Sequence, residues 1–141
     1  MTNSLYPCLW FDGKAKEAAT FYCSVFKNSK IISENPMVVI FELNGQKFMG
    51  LNGGPMFKFN EAVSYVIDCE TQEDIDFYWN TLTADGGQES MCGWLKDKYG
   101  FSWQVVPSIL GKLMGDPEKG QRVMEVVMKS KKFNIDSLVN A

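Results

Sequence analysis

Leu9-Trp10-Phe11-Asp12-Gly13-Lys14-Ala15-Lys16-Glu17-Ala18-Ala19-Thr20-Phe21-Tyr22 is a stretch that the chain uses twice. Tyr65-Val66-Ile67-Asp68 aligns with Leu9-Trp10-Phe11-Asp12, and the register runs without a gap to Phe26 and its mate Leu82. Asp12 then meets Asp68, Glu17 meets Glu73, and Phe21-Tyr22 meets Phe77-Tyr78. The shared physical pattern says more than these identities. In the first copy the apolar run 8–11 reads as a strand, and Ala15, Ala18, Ala19, Tyr22, Val25 and Phe26 follow at helical spacing on one face. In the second copy 63–67 is the strand, and Thr71, Ile75, Tyr78, Trp79 and Leu82 form the helical stripe. Each helix is expected to pack that stripe on a sheet. Asp12 and Asp68 stand where strand gives way to helix, so capping explains them before catalysis does; Thr71 is a further N-cap candidate.

Working outward, three strand-like segments follow each helix. In the first half they are 30–33, 37–43 and 46–52, the last two joined by Asn44-Gly45, a type I′ hairpin signal. In the second half they are 88–91, 93–96 and 102–106, with Asp97-Lys98-Tyr99-Gly100 as the matching turn. The fold class is therefore α+β, two tandem β-α-β-β-β modules. Module one covers about 5–52, a linker 53–61, module two about 62–107, and a helical tail 108–141, all within a single domain. In the tail, Ile109, Leu110 and Leu113 keep helical spacing, Asp116-Pro117 reads as cap and first-turn proline, and Val123, Met124, Val127 and Met128 form a second stripe.

Composition limits the chemistry. The chain has 141 residues, 45% hydrophobic and 22% charged, and no histidine. That excludes Ser-His and Cys-His nucleophile pairs, a histidine base and histidine metal ligands. A net charge of −3 gives no basic field for nucleic acid, and Lys129, Lys131 and Lys132 make only a short cluster. The longest uncharged run, 100–111, is far below a membrane span. Cys8, Cys23, Cys69 and Cys92 are widely spaced and form no C-x-x-C pair. The opening Met1-Thr2-Asn3-Ser4-Leu5-Tyr6-Pro7 shows no secretory pattern. The expectation is a soluble cytoplasmic protein with reduced thiols, engaging neither membrane nor nucleic acid.

The block 9–22 and Gly93-Trp94-Leu95-Lys96-Asp97-Lys98-Tyr99-Gly100-Phe101-Ser102-Trp103-Gln104 resemble the vicinal oxygen chelate superfamily of glyoxalase I, bleomycin-resistance and extradiol dioxygenase families. More narrowly the chain resembles the PhnB-like branch, labelled 3-demethylubiquinone-9 3-methyltransferase, over residues 5–108. The resemblance implies that the modules form a cupped mixed sheet, that the chain assembles as a homodimer, and that the cup holds a divalent metal or a small ligand. In metal-dependent relatives histidines and glutamates point into the cup from the first and last strands of each module. The last-strand glutamate falls four residues after the glycine of a D-x-x-G turn, which here is Gln104; the same count from Gly45 reaches Met49. On the first strands Ser64 and Cys8 are the best matches, with Val63 and Pro7 as one-residue alternatives. Cys8, Met49, Ser64 and Gln104 offer no carboxylate and no imidazole, so no metal and no cofactor is expected.

A methyl donor docks on a Gly-rich turn from a parallel strand into a helix. Gly53-Gly54 leads into Pro55 and no helix, and Gly86-Gly87 follows a helix, so both read as turn punctuation. Strand alternation puts Ser102, Gln104 and Val106 on one face and Trp103 on the helix side; Trp10 shares parity with Cys8 and faces the cup, while Leu9 and Phe11 pack on the helix. Asn52 ends a strand at the rim, and Trp94 and Phe57 are wall candidates. The candidate ligand-binding set is Cys8, Trp10, Met49, Asn52, Ser64, Trp94 and Gln104. A metal-free protein that binds or sequesters a flat, partly apolar small molecule fits this set. The alternative is a metal-independent enzyme with Cys92 or Cys8 as nucleophile or Asp12, Asp68 or Glu42 as acid or base, or the methyltransferase-type activity of the family label; no activating partner for a thiol or carboxylate is visible.

Overall fold

Strand β1 (Cys8–Phe11) buries Leu9 and Phe11 and leaves Cys8 exposed, the alternation expected of a sheet covered on one side. The structure, a computed structural model, describes residues 3–141; Met1 and Thr2, the head of the segment read for a leader, lie outside the described residues. The chain forms two compact units, 1–59 and 60–141.

In the first unit β1 is followed by α1 (Ala15–Val25), β2 (Lys30–Glu34), β3 (Val38–Leu43) and β4 (Gln46–Asn52). The sheet order is β1-β4-β3-β2, with β1 parallel to β4 and the other pairs antiparallel. Asn44 and Gly45 both have positive φ, 51° and 81°, so the β3–β4 hairpin turns as its sequence predicts. Helix α1 buries Ala15, Ala18, Ala19, Tyr22 and Val25 against the sheet, where Tyr22, Phe41 and Phe48 stack in sequence. Each such aromatic contributes about 1.5–3 kcal/mol by leaving water. The small residues set the spacing: a Cβ on Gly50 would stand 3.3 Å from that of Ala15.

The second unit repeats the order with β5 (Ser64–Cys69), α2 (Gln72–Thr83), β6 (Gln88–Glu89), β7 (Trp94–Lys96) and β8 (Ser102–Pro107), in sheet order β5-β8-β7-β6 and with β5 parallel to β8. The fold is thus α+β with two four-stranded mixed sheets from two β-α-β-β-β modules. Thr71, not Asp68, caps α2: its Oγ1 accepts from the Asp74 N–H at 3.2 Å, while Asp68 is exposed at the end of β5. Asp97 is buried and closes the β7–β8 turn, accepting from the Tyr99 and Phe101 N–H groups and from Trp103 Nε1 at 2.8 Å. That last bond holds Trp103 on the helix side.

The tail forms α3 (Leu110–Met114), α4 (Gly120–Lys129) and α5 (Ile135–Val139) around a small core of Val123, Val127, Phe133 and Leu138. Helix α4 starts at Gly120 instead of Pro117, because Asp116 Oδ1 accepts from the Glu118 and Lys119 N–H groups and holds a separate turn ahead of it. Strands 88–91 and 93–96 are also shorter than their sequence suggests. Cys92 and Gly93 take positive φ, 59° and 81°, and donate their N–H groups to the carbonyls of Ser130 and Lys131, so the tail claims the backbone that a longer ladder would use.

Candidate functional site

Each sheet has one face under its helix and one face free of it; Cys8, Trp10, Met49, Ser64, Trp94 and Gln104 lie on the free faces, whereas Asn52, the register partner of Phe11, lies on the helix side. In the first unit Cys8 and Met49 are register neighbours on β1 and β4. Trp10 lies two residues on from Cys8, on the same face. Its indole N–H donates to the Gly54 carbonyl at 2.8 Å, and its ring meets Phe57 edge-on at 4.9 Å. A Cβ on Gly53 would stand 2.4 Å from the indole, so this position admits no side chain while the ring stays. Asn52 is held at both ends of its carboxamide: Oδ1 accepts from the Ala15 N–H at 2.9 Å and Nδ2 donates to the Pro36 carbonyl at 3.1 Å. It supplies the N-terminal cap that Lys14, the residue before α1, lacks.

In the second unit two rows of side chains cross the free face. Ser64, Ser102, Lys96 and Gln88 are successive register partners across β5, β8, β7 and β6. Val66, Gln104 and Trp94 form the adjacent row. Gln104 Nε2 donates to Ser64 Oγ at 3.0 Å, linking the two rows. Lys96 pairs with Glu61 at 2.9 Å, and the hydrogen bond and charge of that ammonium hold the Glu61 carboxyl below the usual carboxylate range.

A cavity of about 510 Å³ opens over the β6–β7 side of this face. Trp94, Met91 and Leu95 supply apolar wall; Gln88, Lys96 with Glu61, and Ser102 supply polar groups. Of the candidate residues Trp94 lines the cavity, and Gln104 and Ser64 occupy the same sheet face beside it. The sequence reading missed Ser102, Lys96 and Gln88 as a set. Parity with Gln104 was the available signal for Ser102, whereas the ion pair between Lys96 and Glu61 joins residues far apart in the chain and leaves no local trace.

A divalent metal, which the resemblance implies for the cup, finds poor donors here. The matching positions hold a thiol and a thioether in one unit, and in the other a hydroxyl and a carboxamide already bonded to each other. Among the described residues no group of three His, Cys, Asp or Glu side chains is placed to hold a metal ion. The thiols are free, and partial desolvation raises the Cys8 thiol above its ordinary value, which lowers its thiolate fraction at neutral pH. Among the described residues no helix is long and apolar enough to cross a membrane.

A sequence model of the family described as 3-demethylubiquinone-9 3-methyltransferase matches residues 3–106. Among solved structures, the PhnB protein from Bacillus cereus, which carries the same family description, is 35% identical, covers 74% of this chain and 99% of its own, and superposes with a TM-score of 0.67. A glyoxalase-related enzyme from Fulvimarina pelagi is 14% identical over 75% of this chain and 88% of its own, TM-score 0.54. The fosfomycin resistance protein FosX from Listeria monocytogenes, in a structure with Mn(II) and sulfate ion, is 12% identical over 86% and 97%, TM-score 0.58. These last two share the fold. No protein of curated function matches the chain.

Proposed function

The chain belongs to the 3-demethylubiquinone-9 3-methyltransferase family, the PhnB-like branch of the glyoxalase and bleomycin-resistance fold, and from that premise we propose that it is a metal-free protein that binds or sequesters a small molecule. The observation that carries this reading is the cavity on the free face of the second sheet, with apolar walls and a few polar groups at fixed positions. The neutral donor set at the metal-ligand positions supports the metal-free part of it. A methyltransferase activity has less support. Gly53 is kept small by the Trp10 ring, and a Cβ on Gly87 would meet the Leu82 carbonyl at 2.6 Å; both glycines serve packing instead of cradling a donor. A metal-independent enzyme remains the second reading because Cys92 lines the cavity. Rapid reaction of Cys92 with a thiol reagent at neutral pH would favour it.

The exposed Val63 and Val66 at edge strand β5 support assembly as a homodimer, and the free thiols support a reducing, cytoplasmic setting. Sedimentation equilibrium tests the first.

The binding reading is tested on dialysed protein by a thermal-shift screen of uncharged aromatics, aromatic antibiotics and phosphonates. At least one compound is expected to raise the melting temperature by several degrees at a large excess over its Kd. Gln104→Ala or Trp94→Ala should weaken that hit. No hit in the screen, or a divalent ion retained stoichiometrically after dialysis, overturns the reading.

A further inference from the structure

Ser102 stands at the middle of the Ser64–Ser102–Lys96 row, wholly buried, and its hydroxyl is without a hydrogen-bond partner among the described residues. Its neighbours on both sides are committed elsewhere: the Ser64 oxygen accepts from Gln104, and the Lys96 ammonium pairs with Glu61. A buried hydroxyl left unmatched costs stability, and an alanine there would not carry that cost. Ser102 is one of the residues lining the cavity, with its hydroxyl covered in the unliganded chain. The charges around it are equally informative. Lys96 is the cation of the cavity wall and is already neutralised by Glu61, while the carboxylate of Glu89, also in the wall, accepts from Trp79 Nε1 at 2.8 Å. An oxyanion drawn to Lys96 would replace the Glu61 carboxylate only to lie near that of Glu89, whereas an uncharged ligand meets no such repulsion.

We infer that the cavity takes an uncharged, flat, partly apolar ligand, and that the Ser102 hydroxyl makes the hydrogen bond that orients it. This rests on the binding reading above and adds to it the ligand class and its anchor. Lys96 is half-buried and Glu61 exposed, and their pair is weak enough for the two side chains to swing aside and let the ligand reach the covered hydroxyl. Ser102 then exchanges an unmet hydroxyl for a bonded one on binding, which makes the bond selective for ligands that carry a polar group at that point.

Calorimetric titration with a matched pair of probes, 2-naphthamide and 2-naphthoate, tests the inference on the full chain. The amide should bind, and Ser102→Ala should weaken it about tenfold while the melting temperature of the unliganded protein stays level or rises. The carboxylate should bind at least tenfold more weakly than the amide, and Glu61→Gln, which releases Lys96, should narrow that gap. Equal affinity of the amide for parent and Ser102→Ala, tighter binding of the carboxylate, or no binding of the amide overturns the inference. If the wider screen still yields a hit, only the ligand class and anchor fall; if nothing in the screen binds, the binding reading falls with them.

Discussion

Asn52 shows how one side chain serves a helix that its own sequence leaves uncapped. Its carboxamide accepts from the first N–H of α1 and donates to the Pro36 carbonyl, so it ties the end of β4 to the helix start and to the segment before β3. Asn52→Ala should lower stability by about 1–2 kcal/mol in urea denaturation, and Asn52→Asp should recover part of the loss because it keeps the acceptor and adds negative charge at a helix N-terminus. An alanine variant as stable as the parent would return Asn52 to the rim of a ligand site as its main role. That Asn52 ends a strand is legible from sequence; which backbone groups its amide meets is not, since Ala15 and Pro36 lie far from it in the chain. The same holds for Trp10, whose parity with Cys8 is a matter of alternation but whose seat on Gly53 is a matter of distance.

At the scale of elements, the helices and strands follow the periodicity of the repeat closely, and the departures occur where the tail binds the second module. Gly93 is the tightest point: a Cβ there would stand 2.6 Å from the Phe133 ring and 2.8 Å from the Val105 carbonyl, at a φ of 81°. Gly93→Ala should therefore cost roughly 2–4 kcal/mol, read as a shifted denaturation midpoint. An unchanged midpoint would mean that the loop is not held by the tail. Strand β5 ends in Cys69, whose buried thiol is pushed up to about 11, first by desolvation and then by Asp74 and Asp68. Because the folded value lies above the unfolded one, the stability linked to this thiol is intact below pH 9 and is lost as pH rises toward 11. Relative to Cys69→Ala, the parent should lose on the order of 2 kcal/mol across that window; parallel pH profiles for the two proteins would contradict the assignment.

Across the whole molecule, the family match ends at residue 106, and the remaining helices build a core of their own that reaches back into the second unit. Gln72 bonds the Phe133 carbonyl and the Ile135 N–H, and Lys132 pairs with Asp76 at 2.8 Å. A chain ended after Ser108 removes these bonds together with the partners of Cys92 and Gly93. It should lose several kcal/mol, and hydrogen exchange should quicken at residues 90–96; full protection there in the shortened chain would show that the tail is dispensable. The sequence by itself determined the repeat, the α+β class, the shared face of Ser102 and Gln104 and the absence of histidine, because periodicity and composition are local properties that survive any arrangement of the chain. The tertiary structure decided which polar groups are already spent. Asn52 is used by a helix, Gln104 by Ser64 and Lys96 by Glu61, which leaves Ser102 buried and unmatched beside a cavity. Hydrogen bonds and ion pairs depend on distances of a few ångströms between residues remote in sequence, and only the folded chain sets those distances.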